Sequence, residues 1–400
     1  MNTITVTTRG QNTSVDAVLY RHIFENSIVA DHPRYLQSLN DGRISLSQLI
    51  ELCRQGKIAY SLFFGSYKVV APMLEAESAR LFGDFGGKYS ISVRGRAINL
   101  NTVRLIIKDI KLKQEKIARF VKTPPNPNVK YLKNSPRPLS DQAQCIVDRL
   151  GINMDEYRSS DNKRDALWYL IGKLETSGIF VSLENTGTNM PQTLKRADGL
   201  TGVYVKHKKF PYFFVANEGL ADFEELPGRK VFTLVYLAAC LFKGSSRMVG
   251  FDQGTEDTPG NELFQLTELI LMPEYLMPQQ STYTTGDLDR IANELKVTAL
   301  AVLVRLRHLE YIEHPEFISL KNELYRRYQV FSSAQKKKRD DRKDGFRHNI
   351  TRNILAYQGK AFLRVLRDQY RAKRITRHEL NHQLSYGKGG VEIERIFDEL

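Results

Sequence analysis

The stretch VFTLVYLAACLFKG, residues 231–244, constrains this chain more than any other. Wound into a helix it is apolar nearly all round, so no side of it can face water and it must run through a core. It is shorter than the roughly 20 apolar residues that cross a bilayer, and Gly244 supplies the residue that commonly closes a helix. Neighbouring segments must therefore cover it. Before it, SDQAQCIVDRL and DNKRDALWYLIGKLETSGI carry helical spacing, while IFVSL, TGVYVKHK and PYFFVAN read as strands, the last two joined by a turn. After it, ELFQLTELILMPEYLM and GDLDRIANELKVTALAVLVRLRHLEYI continue as helices. Strands grouped between helices predict an α+β fold: a small β-sheet packed on a buried helix, with mostly helical N- and C-terminal domains.

Composition sets the divisions around that core. The 400 residues, 42% hydrophobic, are enough for several domains. Residues 1–75 read as helical, with Leu46, Leu49, Ile50, Leu52 and Cys53 at helical spacing and Ser45 available as a cap. Residues 76–139 form a basic helical and linker region. There VKTPPNPNVKYLKNSPRPLS carries Pro124, Pro125, Pro127, Pro136 and Pro138, which donate no backbone hydrogen bond and favour extended geometry. The core spans 140–285 and a further helical segment 286–330. FSSAQKKKRDDRKDGFRHN, 331–349, has little to pack with and reads as a basic exposed loop before a C-terminal helical cap at 350–400. GDFGGK at 83–88 lacks phosphate-loop spacing and reads as a glycine-rich turn. No run of about 18 apolar residues and no leader-like N-terminus is visible, which predicts a cytoplasmic protein with no membrane partner. Cys53, Cys145 and Cys240 form no CxxC pair, as suits a reducing compartment.

The net charge of +14, from 59 Lys and Arg against 45 Asp and Glu, is unevenly placed. Residues 88–137 hold thirteen basic and two acidic residues, and residues 301–400 hold twenty-two and thirteen. Such blocks neutralise phosphates or face an acidic partner, although many charge runs are simply solvated. Lys111, Lys113, Lys116, Lys336, Lys337, Lys338 and Arg339 are the nucleic-acid candidates within them. In HPRYLQSLNDGR, His32, Arg34 and Gln37 would be the reading residues of a DNA-binding helix.

Several ordered segments carry a resemblance. Arg229, Phe232, Thr233 and Leu234 entering the buried helix, then Leu271, Met272 and Pro273, then Ile291, Ala292, Val297, Arg305 and Leu306, resemble the ImmA/IrrE zinc metallopeptidases, which cleave or control helix-turn-helix repressors. SLSQLIELCRQGKIAYSLFF is similar to the end of the repressor-type helix-turn-helix that often precedes the peptidase, and ITRHELNHQLSYGKGG to the family's C-terminal cap. The resemblance implies a zincin-like core followed by a winged-helix-like segment at 286–330. It also implies where the metal site should lie, directly after Phe-Thr-Leu as His-Glu-x-x-His. This chain has Tyr236, Leu237 and Cys240 there, and the third ligand position falls near Gly260 or Glu262. Two imidazoles one turn apart and an adjacent carboxylate are what a catalytic zinc needs. Their absence makes the family site degenerate and implies a pseudopeptidase with no cofactor.

A strict HExxH does occur elsewhere: His378, Glu379, Leu380, Asn381 and His382. On a helix the two histidines would share a face beside Glu379, with Glu392 or Glu394 as third zinc ligand. The same residues have a plainer reading, in which Thr376 and Glu379 form a capping box and Leu380 and Leu384 an apolar stripe. Three functions stay open on the sequence. The chain is a protein-binding regulator of a helix-turn-helix repressor or antitoxin, its partner face lying beside the buried helix with Val203–Val205 as an edge strand accepting a peptide. Alternatively it binds DNA through its basic segments, or it is a zinc peptidase using His378, Glu379 and His382.

Overall fold

A computed structural model describes residues 3–25, 27, 29–30, 32–56, 58–82, 100–184, 200–216, 227–245, 248–249, 261–341, 350–384 and 393–400. The described residues form a mixed α+β structure, mostly helical, with two small sheets. The first sheet corrects the expectation that residues 1–75 are all helical. β1 (Thr3–Thr8) and β2 (Gln11–Asp16) pair antiparallel, from Thr3 opposite Asp16 to Thr8 opposite Gln11, and Gly10 turns the chain at φ +89°. β3 (Arg43–Ser45) then lies parallel to β1, giving the order β2-β1-β3. TITVTT alternates, so Ile4 and Val6 point into the core. α1 (Ala17–Glu25), α2 (Pro33–Asp41) and α3 (Leu46–Gly56) bury Tyr20, Phe24 and Tyr35 against Phe63, whose ring lies 4.8 Å from that of Phe24. Ser45 and Gln48 exchange side-chain caps at the start of α3, the cap expected at Ser45. Because β3 intervenes between α2 and α3, these helices are not joined by the turn of a helix-turn-helix.

Two long helices, α4 (Tyr67–Phe82) and α5 (Leu100–Phe120), follow. The region 140–285 begins with α6 (Leu139–Arg149), α7 (Met154–Arg158) and α8 (Lys163–Thr176), continues through β4 (Phe180–Leu183), β5 (Gly202–Val205) and β6 (Tyr212–Val215), and reaches the central α9 (Pro227–Lys243). β7 (Met248–Val249) completes a sheet of order β4-β6-β5-β7. Both faces of this sheet are covered. Val181, Leu183, Tyr204, Phe213 and Val215 join the core around α9, while Phe180, Val203, Val205, Tyr212 and Phe214 join a second core lined by α5. Two buried faces explain why YFFV and FVSL show no alternation. They also correct the peptide-accepting edge: β5 sits between β6 and β7, and Val203–Val205 are fully buried.

α9 is covered by α8, α6 and α10 (Glu262–Leu271), and the helices α11 (Thr285–Glu294) and α12 (Ala299–His308) join the same core, their connection at Val297 meeting Gly228 at the start of α9. α13 (His314–Asp341) runs through residues 331–341, so the expected loop begins no earlier than 342, and residues 342–349 lie outside the described residues. The segment 286–330 is helical without a strand, which removes the wing of the winged-helix expectation. α14 (Ile350–Gln358), α15 (Lys360–Arg371), α16 (Arg377–Leu384) and α17 (Ile393–Asp398) close the second core, the helical cap expected at 350–400. Among the described residues no helix is long and apolar enough to cross a membrane.

The proline-rich segment is a strap rather than a linker. The last carbonyls of a helix have no partner within it, and here Lys130 N–H donates to Leu241 O at 2.9 Å and Leu132 N–H to Phe242 O at 2.9 Å. Gly244, at φ +73°, lets α9 end against the Lys130 stem, since a Cβ there would lie 2.5 Å from Lys130 Cγ.

Candidate functional site

α9 begins with Pro227 in its first turn, where a missing N–H is harmless, and buries Val231 to Phe242 without a break. Tyr236, Leu237 and Cys240, the positions that the resemblance marks for a metal site, fall in that buried stretch. Leu237 faces the sheet, close enough that a Cβ on Gly202 would lie 3.2 Å from Leu237 Cδ1 and 2.7 Å from Thr233 Cγ2. Tyr236 faces α10, its hydroxyl 3.5 Å from Asn261 Nδ2, while Asn261 Oδ1 caps α10 by accepting from Leu263 N–H. Cys240 is buried one turn beyond Tyr236, and one turn further Lys243 Nζ pairs with Glu262. A phenol, an isobutyl group, one thiol and a carboxylate held by an ammonium group are not the donor set of a catalytic zinc. A catalytic zinc ion does not fit these residues.

HELNH lies on α16, where Glu379 completes the expected capping box. Thr376 N–H and hydroxyl donate to Glu379 Oε2 at 2.7 and 2.9 Å, and Glu379 N–H donates to Thr376 Oγ1 at 3.2 Å. Those donors hold the Glu379 carboxyl below the usual glutamate range, with Lys116 and His378 adding positive charge. A general base near neutrality needs the opposite shift. His378 and Glu379 are exposed on a short helix. The His382 side chain and Glu392 lie outside the described residues, as does Gly260 on the family site. Among the described residues no group of three His, Cys, Asp or Glu side chains is placed to hold a metal ion.

The nucleic-acid candidates scatter. Lys113 is buried, which corrects its assignment to a phosphate-binding face. Its ammonium pairs with Asp109 at 3.2 Å, donates to Tyr357 O at 3.3 Å and sits 4.3 Å from the centre of the Tyr357 ring. Tyr357 hydroxyl also donates to Asp109 Oδ2 at 2.9 Å, so the cation ties α5 to α14. Lys116 and Lys111 are half-buried, Lys116 near Glu379 and Lys111 near His207. Arg34 and Gln37 of α2 line a shallow cleft with Asp41, Arg43 and Gln48. His32 is occupied as the cap of α2, its Nδ1 accepting from Arg34 N–H at 3.2 Å, and burial and Arg34 keep its pKa below the usual histidine value. Lys336, Lys337, Lys338 and Arg339 fall on α13 with side chains outside the described residues. Cys53 is buried, and burial pushes its thiol up to about 12, far from a reactive thiolate.

One polar cluster was missed from sequence. Glu268 of α10, completely buried, accepts from Arg305 Nη1 at 3.3 Å and meets His308 Nδ1 at 2.8 Å, while Arg305 Nε donates to Met272 O at 3.1 Å. Arg305 thus joins the Leu-Met-Pro end of α10 to α12. Glu268, one turn before Leu271 among the leucines and isoleucine of ELFQLTELIL, was the available signal, because a charged residue on a buried face demands a partner. No family model, curated protein or solved structure matches the chain.

Proposed function

We propose that this chain is a non-hydrolytic, ImmA/IrrE-like regulator that binds a helix-turn-helix repressor or an antitoxin without cutting it. The observation that carries the reading is the sealed set Tyr236, Leu237 and Cys240, with Glu262 engaged by Lys243, at the positions where the resemblance calls for imidazoles and carboxylates. A scaffold can keep its shape after losing such chemistry, because Leu234, Leu237, Leu241 and Phe242 each contribute roughly 1.5–3 kcal/mol on burial. The zincin-like description of the core, the cytoplasmic location and the absence of a cofactor belong to the same proposal. The partner class comes from the resemblance alone. Since β5 is an inner strand, the partner would be met at the surface beside α9 and α10 rather than by strand addition.

The test is co-expression with repressor-type and antitoxin-type partners, followed by elemental analysis of the untagged chain. The expected result is an intact partner that co-elutes with the chain, and a zinc content far below one per chain that does not change in His378→Ala/His382→Ala. About one zinc per chain, lost in that double variant and accompanied by a cleaved partner, would replace this reading with a working peptidase at HELNH. Failure of every partner to co-elute would remove the binding half of the proposal.

A further inference from the structure

We propose that the surface where the strap meets the β5–β6 turn binds the phosphate backbone of single-stranded nucleic acid. The strap brings Lys122, Lys130 and Lys133, and the turn KHKK brings Lys206, Lys208 and Lys209. None of these six ammonium groups has a carboxylate partner among the described residues. Convergence of the two segments is built in. Buried Asn126 donates from its N–H to Lys208 O at 2.8 Å and from its side chain to Ser177 O at 2.8 Å, pinning strap to turn. The turn is tightened by His207, whose Nδ1 accepts from Lys209 N–H at 3.2 Å and Phe210 N–H at 3.0 Å.

Like charges are held together here at a cost. Lys206, then Lys133 and Lys208, keep the exposed Lys130 ammonium below the usual lysine range. Lys130 also has φ +65°, a left-handed conformation that is unfavourable for a non-glycine residue. A bound polyanion relieves the repulsion, since each neutralised phosphate releases condensed counterions.

Two further features favour a nucleic-acid strand over an acidic protein. Beside the turn lies an open cleft of about 490 Å³ whose lining is mostly apolar, formed by Ala118, Val121 and the His207 ring stacked on Phe210, together with Lys122, Lys208 and Lys209. An apolar lining beside cations suits a base attached to its phosphates. Next to Lys130, Tyr131 is 46% exposed and carries the Arg149 guanidinium 3.8 Å from its ring centre, while Arg149 is fixed by Asn128 Oδ1 and Pro127 O. Exposed rings in basic grooves stack on unpaired bases and do so with little regard to sequence.

The experiment is fluorescence anisotropy of the full chain with a labelled oligodeoxythymidine, a labelled duplex and labelled poly-glutamate, over a series of salt concentrations. The expected result is binding of the single strand in preference to the other two, with a log–log salt slope of about −3, corresponding to about four phosphates. Lys122→Gln/Lys208→Gln/Lys209→Gln should weaken it at least tenfold and flatten the slope, by about 0.7 for each phosphate that no longer meets a lysine. Tyr131→Ala should weaken single-strand binding only. The control Lys68→Gln/Arg290→Gln/Lys373→Gln removes the same charge elsewhere and should leave binding unchanged. Thermal unfolding checks that each variant is folded. Equal affinity for duplex or poly-glutamate, or equal losses in the control and the test variants, would overturn the proposal. None of these outcomes bears on the repressor-binding reading, which has its own readout in co-elution.

Discussion

At the scale of single residues, burial decides what a charge can do. Lys113 has the residue type and neighbourhood of a phosphate ligand, yet it is only 3% exposed and is held by Asp109, Tyr357 and the ring faces around it. Removing one member of a buried ion pair strands the other, at about 3–5 kcal/mol. Lys113→Met should therefore lower unfolding free energy by about that much in chemical denaturation, and Lys113→Met/Asp109→Asn should recover part of it. A loss below about 0.5 kcal/mol, the level of an ordinary surface site, would mean that the lysine is solvated. Glu379 shows the converse, an exposed carboxylate whose local bonds fix its character. Its folded pKa is lowered, so its cap contributes above the ordinary value of 4.5 and is lost as pH falls through the lower folded value. Titration of the Glu379 carboxyl by NMR should give a midpoint below 4.5, and a midpoint above it would restore Glu379 as a candidate base. The capping box was legible because its partners are three residues apart; the Lys113 site was not, because Tyr357 lies 244 positions away.

At the scale of elements, the central helix and the strands that pack on it could be read directly, since unbroken apolarity in VFTLVYLAACLF and YFFV has no other stable placement. The first sheet was equally available in TITVTT-RG-QNTSVD, an alternating strand and an Arg-Gly turn, but the helical spacing downstream outweighed it. Gly202 shows how closely β5 and α9 approach. Gly202→Ala would set a methyl group 2.7 Å from Thr233 Cγ2 and 3.1 Å from Phe214 O, separations that a packed core cannot widen freely. The expected effect is a loss of about 1–3 kcal/mol, measured by urea unfolding. An unchanged midpoint would show that the helix and the sheet are loosely fitted. The strap was misread because proline marks extended chain without saying where it goes. What holds the chain there are bonds to distant partners: the end carbonyls of α9, and Lys208 O and Ser177 O, which accept from Asn126.

At the scale of the whole molecule, the described residues gather into three apolar cores: one under the N-terminal sheet, one around α9, and one between the second sheet and the C-terminal helices. Apolar side chains of the chain itself close each of them, whereas proteins that fold around zinc lose their structure to chelators. Exhaustive chelation should leave the thermal unfolding midpoint unchanged. A fall reversed by zinc would instead place a structural ion in the molecule. The sequence by itself determined the α+β class, the central helix and the strands on it, because hydrophobic burial is a property of residue type and local spacing. Tertiary structure decided the rest. It sent Lys113 inward and gathered Lys122, Lys130, Lys133, Lys206, Lys208 and Lys209 on one face, because a charge takes its meaning from partners that the chain brings from far away.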